Sequence, residues 1–257
     1  GYAVGERVTF DSTLSCGTCR FCKIGAVNLC DRREVLGVSC GDYRRNGAFA
    51  EYVTVPARIV YRLPDALGFA EAAMIEAVSV ALHAVRLTAP EQGSTALVVG
   101  AGMIGLLILQ SLRIAGCEKI LVLDLDSGRL TLAKKLGADE ILQSGPTTSR
   151  DQIAEQVRSF THGHGADVVL AAVGSAVTVQ AAIASARKGA TVTLVGNLAP
   201  EVPLPLQSVV TRQIRLQGSC ASAGEYPQAI DLMASKAIDV APMISAVVPL
   251  AEGPRWF

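Results

Sequence analysis

The sequence lacks a surplus of either charge: 23 Lys and Arg against 23 Asp and Glu leave a formal net charge of zero, with no long run of one sign. A chain so balanced offers no electrostatic footprint for a phosphate backbone, which argues against nucleic acid as a partner. The nearest approach to a basic cluster is Tyr43-Arg44-Arg45. Long hydrophobic runs are lacking too. The longest apolar stretch, residues 96–109, is interrupted by Gly100, Gly102 and Gly105 and is too short to span a bilayer, so no membrane role is expected. No signal-peptide pattern, internal repeat or low-complexity segment is visible.

What is present is cysteine. Four of the seven cysteines, Cys16, Cys19, Cys22 and Cys30, form a C-x2-C-x2-C-x7-C array. Disulfides are one reading, but they serve small secreted chains with thin cores, whereas 257 residues at 50% hydrophobic content can bury one or two full cores. An iron–sulfur cluster is a second reading. The ferredoxin run continues x3-C-P after its third cysteine, and here seven residues separate Cys22 from Cys30, with Asp31 following. The third reading, which we adopt, is a closed tetrahedral zinc site that pins a loop with few apolar anchors. Thiols kept free in this way point to a reducing compartment, so a cytoplasmic location is expected.

Along the chain, residues 1–62 predict turn-rich β structure, with a short strand over Glu6–Phe10 and a longer one over Gly47–Val55, "GAFAEYVTV". Residues Phe69–Leu87 predict an alanine-rich helix, with Ala73, Ala77, Val80, Ala81 and Ala84 at helical spacing. After Pro90, buried-strand segments such as "TALVVG", "KILVLD", "ADVVLAAVG" and "ATVTLVG" alternate with helical ones, ending in "IRLQGS" and a helix over Tyr226–Ser235. This alternation predicts an α/β fold: a doubly wound parallel sheet covered by helices on both faces.

"VVGAGMIG" closes the first of these strands and opens its helix with G-x-G-x-x-G. Gly100 makes the turn, Gly102 lets backbone amides at Met103 and Ile104 approach a pyrophosphate, and Gly105 lets helix and sheet pack closely. Asp124 ends the next strand, 19 positions after Gly105, where a carboxylate can accept hydrogen bonds from ribose hydroxyls and repel a 2'-phosphate. NAD is expected over NADP. The competing role for Asp124, a helix N-cap, can be filled by Asp126 or Ser127.

The cysteine array, then "GAFAEY", then "IEAVSVALHAV", then the Rossmann fingerprint, in that order, resembles the zinc-dependent medium-chain alcohol dehydrogenases, most of all their sorbitol and polyol dehydrogenase branch. The resemblance implies a hydride-transferring enzyme acting on a secondary alcohol, a polyol or polyol phosphate, with NAD and zinc. It implies a partial, β-rich GroES-like catalytic domain over residues 1–77 carrying the zinc lobe, a Rossmann domain over 78–221, and a return to the catalytic domain over 222–257. It makes Cys16, Cys19, Cys22 and Cys30 the ligands of a structural zinc and places Glu76 at the catalytic zinc, as a ligand or holding its water. It sets Arg129 at the adenosine end, and Val195, Gly196, Asn197, Ser219, Cys220 and Ala221 along the nicotinamide. A homodimer or homotetramer joined through the edge of the Rossmann sheet is the implied assembly. Two other readings stay open: a threonine-type amino-alcohol dehydrogenase of the same superfamily, and a fragment that binds NAD and zinc without catalysing.

The departures are specific. The family's other catalytic zinc ligands, a cysteine and a His-Glu pair, are expected upstream of Gly1, a closing helix and strand are expected beyond Phe257, and Ala77 replaces the usual proline after the glutamate. His162 and His164 read as a solvated loop, His83 as a packed helix residue, Cys40, Cys117 and Cys220 as small apolar residues rather than nucleophiles, and Glu51 as a strand-edge carboxylate.

Overall fold

A computed structural model describes residues 1–38, 44–145 and 147–256, and divides the chain into two compact units, Gly1–Ser79 with Ala221–Phe257, and Val80–Cys220. Cys40 lies outside the described residues.

The first unit opens with β1 (Val8–Phe10), β2 (Thr13–Leu14), the one-turn α1 (Arg20–Lys23), β3 (Glu34–Leu36), β4 (Arg44–Arg45) and β5 (Val60–Arg62). Strands β1 and β5 pair antiparallel, and β2, β3 and β4 form a second small sheet. The strand predicted over 47–55 is absent. Its residues are exposed throughout 47–54 and find no ladder partner among the described residues, and alternation without a neighbouring strand leaves an extended loop. Glu51 is therefore a loop carboxylate. The alanine-rich segment is also two helices rather than one: α2 (Phe69–Ala72) and α3 (Ile75–Thr88). Between them the Met74 amide donates to the Glu71 carbonyl three residues back, at 2.8 Å, a tight 3-10 step that breaks the register. The Arg7 guanidinium ties down the entry to α2 by donating to the carbonyls of Pro64 and Leu67 and lying over the Phe69 ring.

Helix α3 continues into the second unit, where the elements alternate: β6 (Thr95–Val99), α4 (Met103–Ile114), β7 (Lys119–Asp124), α5 (Ser127–Lys135), β8 (Glu140–Gln143), α6 (Arg150–Phe160), β9 (Ala166–Ala171), α7 (Ala176–Ser185), β10 (Ala186–Leu194), the short α8 (Leu206–Thr211) and β11 (Arg215–Gly218). The six strands run parallel in the order β11-β10-β9-β6-β7-β8. The order reverses between β6 and β9, the topological switch point at which such sheets bind ligands. Helix α9 (Tyr226–Ala234) returns to the first unit, where Tyr226 stacks on Tyr61 with ring centroids 5.3 Å apart.

The central strands are apolar on both faces because helices cover both. Leu97, Val98, Val99, Val169, Leu170 and Ala171 are essentially inaccessible to water, and each leucine so buried contributes roughly 1.5–3 kcal/mol. The amino-terminal ends of β6 and β9 are joined by a polar knot: Asp167 accepts from the Thr95 amide at 2.7 Å, the Thr95 hydroxyl at 2.6 Å and the Arg187 guanidinium at 2.5 Å. Burial alone would raise the Asp167 pKa, but these donors outweigh it and hold the carboxyl below its usual range.

Candidate active site and metal centre

The cysteine lobe is assembled by local geometry. Cys19 is the N-cap of α1, Cys22 lies within it, Cys16 precedes it across a left-handed Gly17, and a 3-10 turn over Val27–Leu29 delivers Cys30. The four sulfurs lie within 4.8 Å of one another; Cys19 and Cys22 are 3.5 Å apart, and Cys16 and Cys22 3.9 Å. Disulfides, at about 2.05 Å, do not fit these separations. A zinc–sulfur bond of about 2.3 Å puts tetrahedral sulfurs about 3.8 Å apart, so a single zinc ion fits. Amides of Cys16 and Arg32 point at the Cys30 sulfur, and those of Thr18 and Cys19 at the Cys16 sulfur. The Thr18 amide and hydroxyl lead in lowering the Cys16 pKa to about 5, while loss of hydration and the neighbouring Cys19 thiol push Cys22 up to about 11. Four thiolates this close repel one another, and a divalent cation is what would let all four ionise.

Glu76 sits in the first turn of α3 and faces a cavity of about 780 Å³ lined also by Ser12, Leu36, Val38, Ala48 and Phe49. Its carboxyl keeps contact with solvent there, but the surrounding atoms strip much of its hydration; this, and then the charge of Asp11, raise its pKa. Asp11 is buried and accepts from the Thr13 amide at 2.8 Å. Among the described residues, only the four cysteines form a group of three or more metal-ligating side chains. A catalytic zinc needs about three protein ligands. Glu76 supplies one such ligand, and the described residues around it do not complete the set, so they do not by themselves fit such an ion.

In the second unit the glycine-rich turn follows β6, and Gly102 is the N-cap of α4. A side chain on Gly105 would overlap the Gly100 carbonyl, so this glycine is fixed by internal packing. At Gly102 an added Cβ would meet no protein atom within 4 Å, so the space beside it is left open for a ligand at the helix N-terminus. Met103 is exposed and Ile104 half-buried at the same helix opening. Asp124, the last residue of β7, spans the turn: its Oδ2 accepts from the Ala101 amide at 2.6 Å and its Oδ1 from the Asp126 amide at 2.9 Å. The N-cap of α5 is Asp126, whose Oδ1 accepts from the Arg129 amide at 2.9 Å, so Asp124 does not cap. Asp124 and Arg129 both line a cavity of about 470 Å³ at the carboxyl ends of β6 and β7. Sequence reasoning missed the rest of that wall, including Ser144, Thr148, Ser175 and Thr178; the Ser175/Thr178 capping box that opens α7 was the available signal.

The stretches assigned to the nicotinamide offer fewer amides than the sequence suggests. The Val195 and Gly196 amides both donate to the Ala171 carbonyl at 3.0 Å, and the Ser219 amide donates to the Leu194 carbonyl at 2.9 Å. The Ser219 hydroxyl is buried without a partner among the described residues. Asn197 and Cys220 are exposed, and Ala221 adopts a left-handed φ of 51°. Cys117, in contrast to the exposed Cys220, is buried, and burial pushes its thiol up to about 11. His162 and His164 are exposed in their loop, and His83 is buried on α3, 3.1 Å from the Arg86 guanidinium.

Comparison with known proteins agrees with this arrangement. The family pattern described as Zinc-binding dehydrogenase matches residues 104–235, and that described as Alcohol dehydrogenase GroES-like domain matches residues 1–65. The chain is 33% identical over 246 residues to a sorbitol dehydrogenase of Bacillus subtilis (strain 168), covering 95% of this chain and 67% of that protein. It is 31% identical to D-xylulose reductase A of Aspergillus oryzae, over 99% of this chain and 70% of that protein. A crystal structure of a zinc-binding dehydrogenase from Sinorhizobium meliloti 1021 bound to NADP superposes with a TM-score of 0.85 at 31% identity, over 99% of this chain and 73% of that one. No helix among the described residues is long and apolar enough to cross a membrane.

Proposed function

This chain belongs to the zinc-binding medium-chain alcohol dehydrogenases, and from that premise we propose that it oxidises a secondary hydroxyl of a polyol with NAD. The balance is that of a dehydrogenase: the carbinol carbon gives up a hydride to the nicotinamide, the hydroxyl loses a proton, and a ketone and NADH result. NAD, when bound, supplies the electron sink. The chain supplies the rest. The open N-terminus of α4 at Gly102 would receive the pyrophosphate, and the Asp124 carboxylate, held in place by two backbone amides, would accept from the ribose hydroxyls. Arg129 would border the adenosine.

The single observation that carries the reading is this carboxylate fixed at the mouth of the cavity beside the glycine-rich turn. Its charge favours NAD over NADP, because a 2'-phosphate would meet it head on. The Cys16, Cys19, Cys22 and Cys30 lobe would hold a structural zinc, and Glu76 is the group we assign to the alcohol end. Polyols are favoured as substrates by the sorbitol dehydrogenase and D-xylulose reductase likeness. We place the protein in the cytoplasm on the four thiols of its cysteine lobe, which are spaced for a metal rather than for disulfides, and pair it as a homodimer or homotetramer through the outer edge of β11, an edge strand whose ladder groups face outward. We set the unit boundaries of function at 1–77, 78–221 and 222–257.

The test is NAD reduction, followed by absorbance, with sorbitol, xylitol and L-threonine offered in parallel to the zinc-loaded protein. Turnover of a polyol supports the reading. Turnover of threonine alone would move the assignment to the amino-alcohol dehydrogenases.

A further inference from the structure

Away from the cofactor cavity, the outer faces of α6, α7 and α8 enclose a separate hollow of about 200 Å³. Its floor is open because small residues face it, Ala154 on α6 and Ala184 on α7. Its walls are cationic. Arg150 and Arg158 stand with Ala154 at positions i, i+8 and i+4 of α6, one ridge along that helix, and Arg212 enters from the end of α8.

The three guanidinium groups are not equally occupied. Arg150 pairs with Asp151, which also borders the hollow, at a loose 3.7 Å, and Arg158 is held by Glu155 at 2.7 Å. Arg212 has no carboxylate partner among the described residues; it donates to the carbonyls of Ile183 and Ala186 and to the Ser208 hydroxyl. Two carboxylates thus face three guanidiniums, and one positive charge is left over in a half-buried setting. Loss of hydration and then the nearby Arg158 charge lower the Arg212 pKa, as expected of like charges held together without an anion. The Ser208 hydroxyl, which accepts from Arg212, and the Gln180 amide, which donates to the Pro203 carbonyl at 3.1 Å, border the same hollow.

We propose that this hollow is a binding site for a small tetrahedral phosphoryl anion, bridged between Arg158 on α6 and Arg212 on α8. Guanidinium groups match phosphate oxygens in geometry as well as charge. The site is also placed to communicate. Ile153 of α6 and Thr178 and Ala181 of α7 line the cofactor cavity, while Ala154, Gln180 and Ala184, their near neighbours on the same helices, line this hollow. An anion that ties Arg158 of α6 to Arg212, which itself donates to the Ile183 carbonyl of α7, stabilises the wall of the cofactor cavity, so phosphate and NAD bind with positive coupling, and by linkage each tightens the other equally.

The probe is inorganic phosphate, titrated by calorimetry into the zinc-loaded protein at constant ionic strength, with and without saturating NAD. NAD occupies the pyrophosphate position at α4, so phosphate taken up in its presence reports on the hollow alone. One saturable site per chain is expected, with NAD affinity about 2–5-fold higher in saturating phosphate. Arg158→Gln should weaken phosphate at least about tenfold while leaving NAD affinity in phosphate-free buffer unchanged. Glu155→Gln releases Arg158 from its competing carboxylate and should tighten phosphate about threefold, a gain that misfolding cannot imitate. A parallel titration with glycerol 1-phosphate separates the sources: stronger binding than inorganic phosphate assigns the site to phosphate monoesters, equal or weaker binding to free phosphate. Absence of saturable uptake with NAD bound, or identical phosphate affinity in both variants, overturns the proposal. Neither result touches the dehydrogenase reading, which stands on turnover.

Discussion

Replacing Asp124 by alanine should change which cofactor the protein prefers, and the structure gives the size of the change. Both oxygens of this carboxylate already accept from backbone amides, Ala101 at 2.6 Å and Asp126 at 2.9 Å, so the side chain cannot swing out of the way of an incoming ribose. A charge-assisted hydrogen bond contributes about 1.5–3 kcal/mol, so losing the acceptor for ribose hydroxyls should weaken NAD about 10–100-fold. The opposite term acts on NADP. At roughly 5 Å and an effective dielectric of about 20, each unit of 2'-phosphate charge is repelled by about 3 kcal/mol, and the substitution removes that repulsion. The NAD to NADP affinity ratio should therefore fall by at least about 1,000-fold, mostly through tighter NADP. Calorimetric titration of both cofactors into the unaltered and substituted proteins reads this directly. Asp124→Asn serves as the companion, since it keeps the shape but sets an amide NH2 against one of the two backbone donors, and should lose stability as well as selectivity. If the unaltered protein binds NADP as tightly as NAD, or if Asp124→Ala leaves the ratio unmoved, the carboxylate is not the selector.

Three further outcomes are expected. The purified protein should carry one zinc per chain by elemental analysis, and Cys22→Ser should abolish it and lower the melting temperature while NAD affinity stays within about twofold, because the lobe folds around its own ion. Gly105→Ala should cost about 3 kcal/mol or more in denaturant unfolding, since the new methyl overlaps the Gly100 carbonyl and helix and turn must part. Asp167 is held below its usual pKa in the folded state, so its contribution is present above about pH 4 and is lost as pH falls through the lower native value. Urea titrations should show Asp167→Asn about 2 kcal/mol less stable at pH 7, with the gap closing in acid; a gap that persists unchanged at pH 2 would contradict the ion-paired assignment.

How much of this was readable beforehand follows from what each feature depends on. The parallel sheet was legible because strands buried on both faces must be continuously apolar, and the segments around Leu97, Leu121 and Val169 are. Asp124 was legible because its distance from the fingerprint is set by one helix and one strand. The 47–55 segment misled because alternation describes a face, while a strand also needs a neighbour to bond with. The break at Ala73 and Met74 left no Gly or Pro as a marker. The commitment of the Val195 and Gly196 amides to the Ala171 carbonyl could not be seen, since it depends on how two strand ends meet in space. Nor could the arginine hollow, whose members are gathered from positions 150, 158 and 212 by the packing of three helices.

The glycines of the second unit also differ in what their loss would report. Gly174 and Gly196 press backbone against backbone, so that a Cβ on the first would strike Gly196 and a Cβ on the second would strike Val173. A mutational scan should find both positions nearly closed to substitution, and it would be a mistake to enter Gly196 as a cofactor contact on that evidence, because its intolerance has a sufficient cause within the apo fold. Gly102 is the informative column. Its neighbours leave room for a methyl, and its φ of −70° suits any residue, so alanine there should fold normally and fail only when the dinucleotide arrives. Comparing abundance with cofactor binding at these three positions separates selection for folding from selection for ligand.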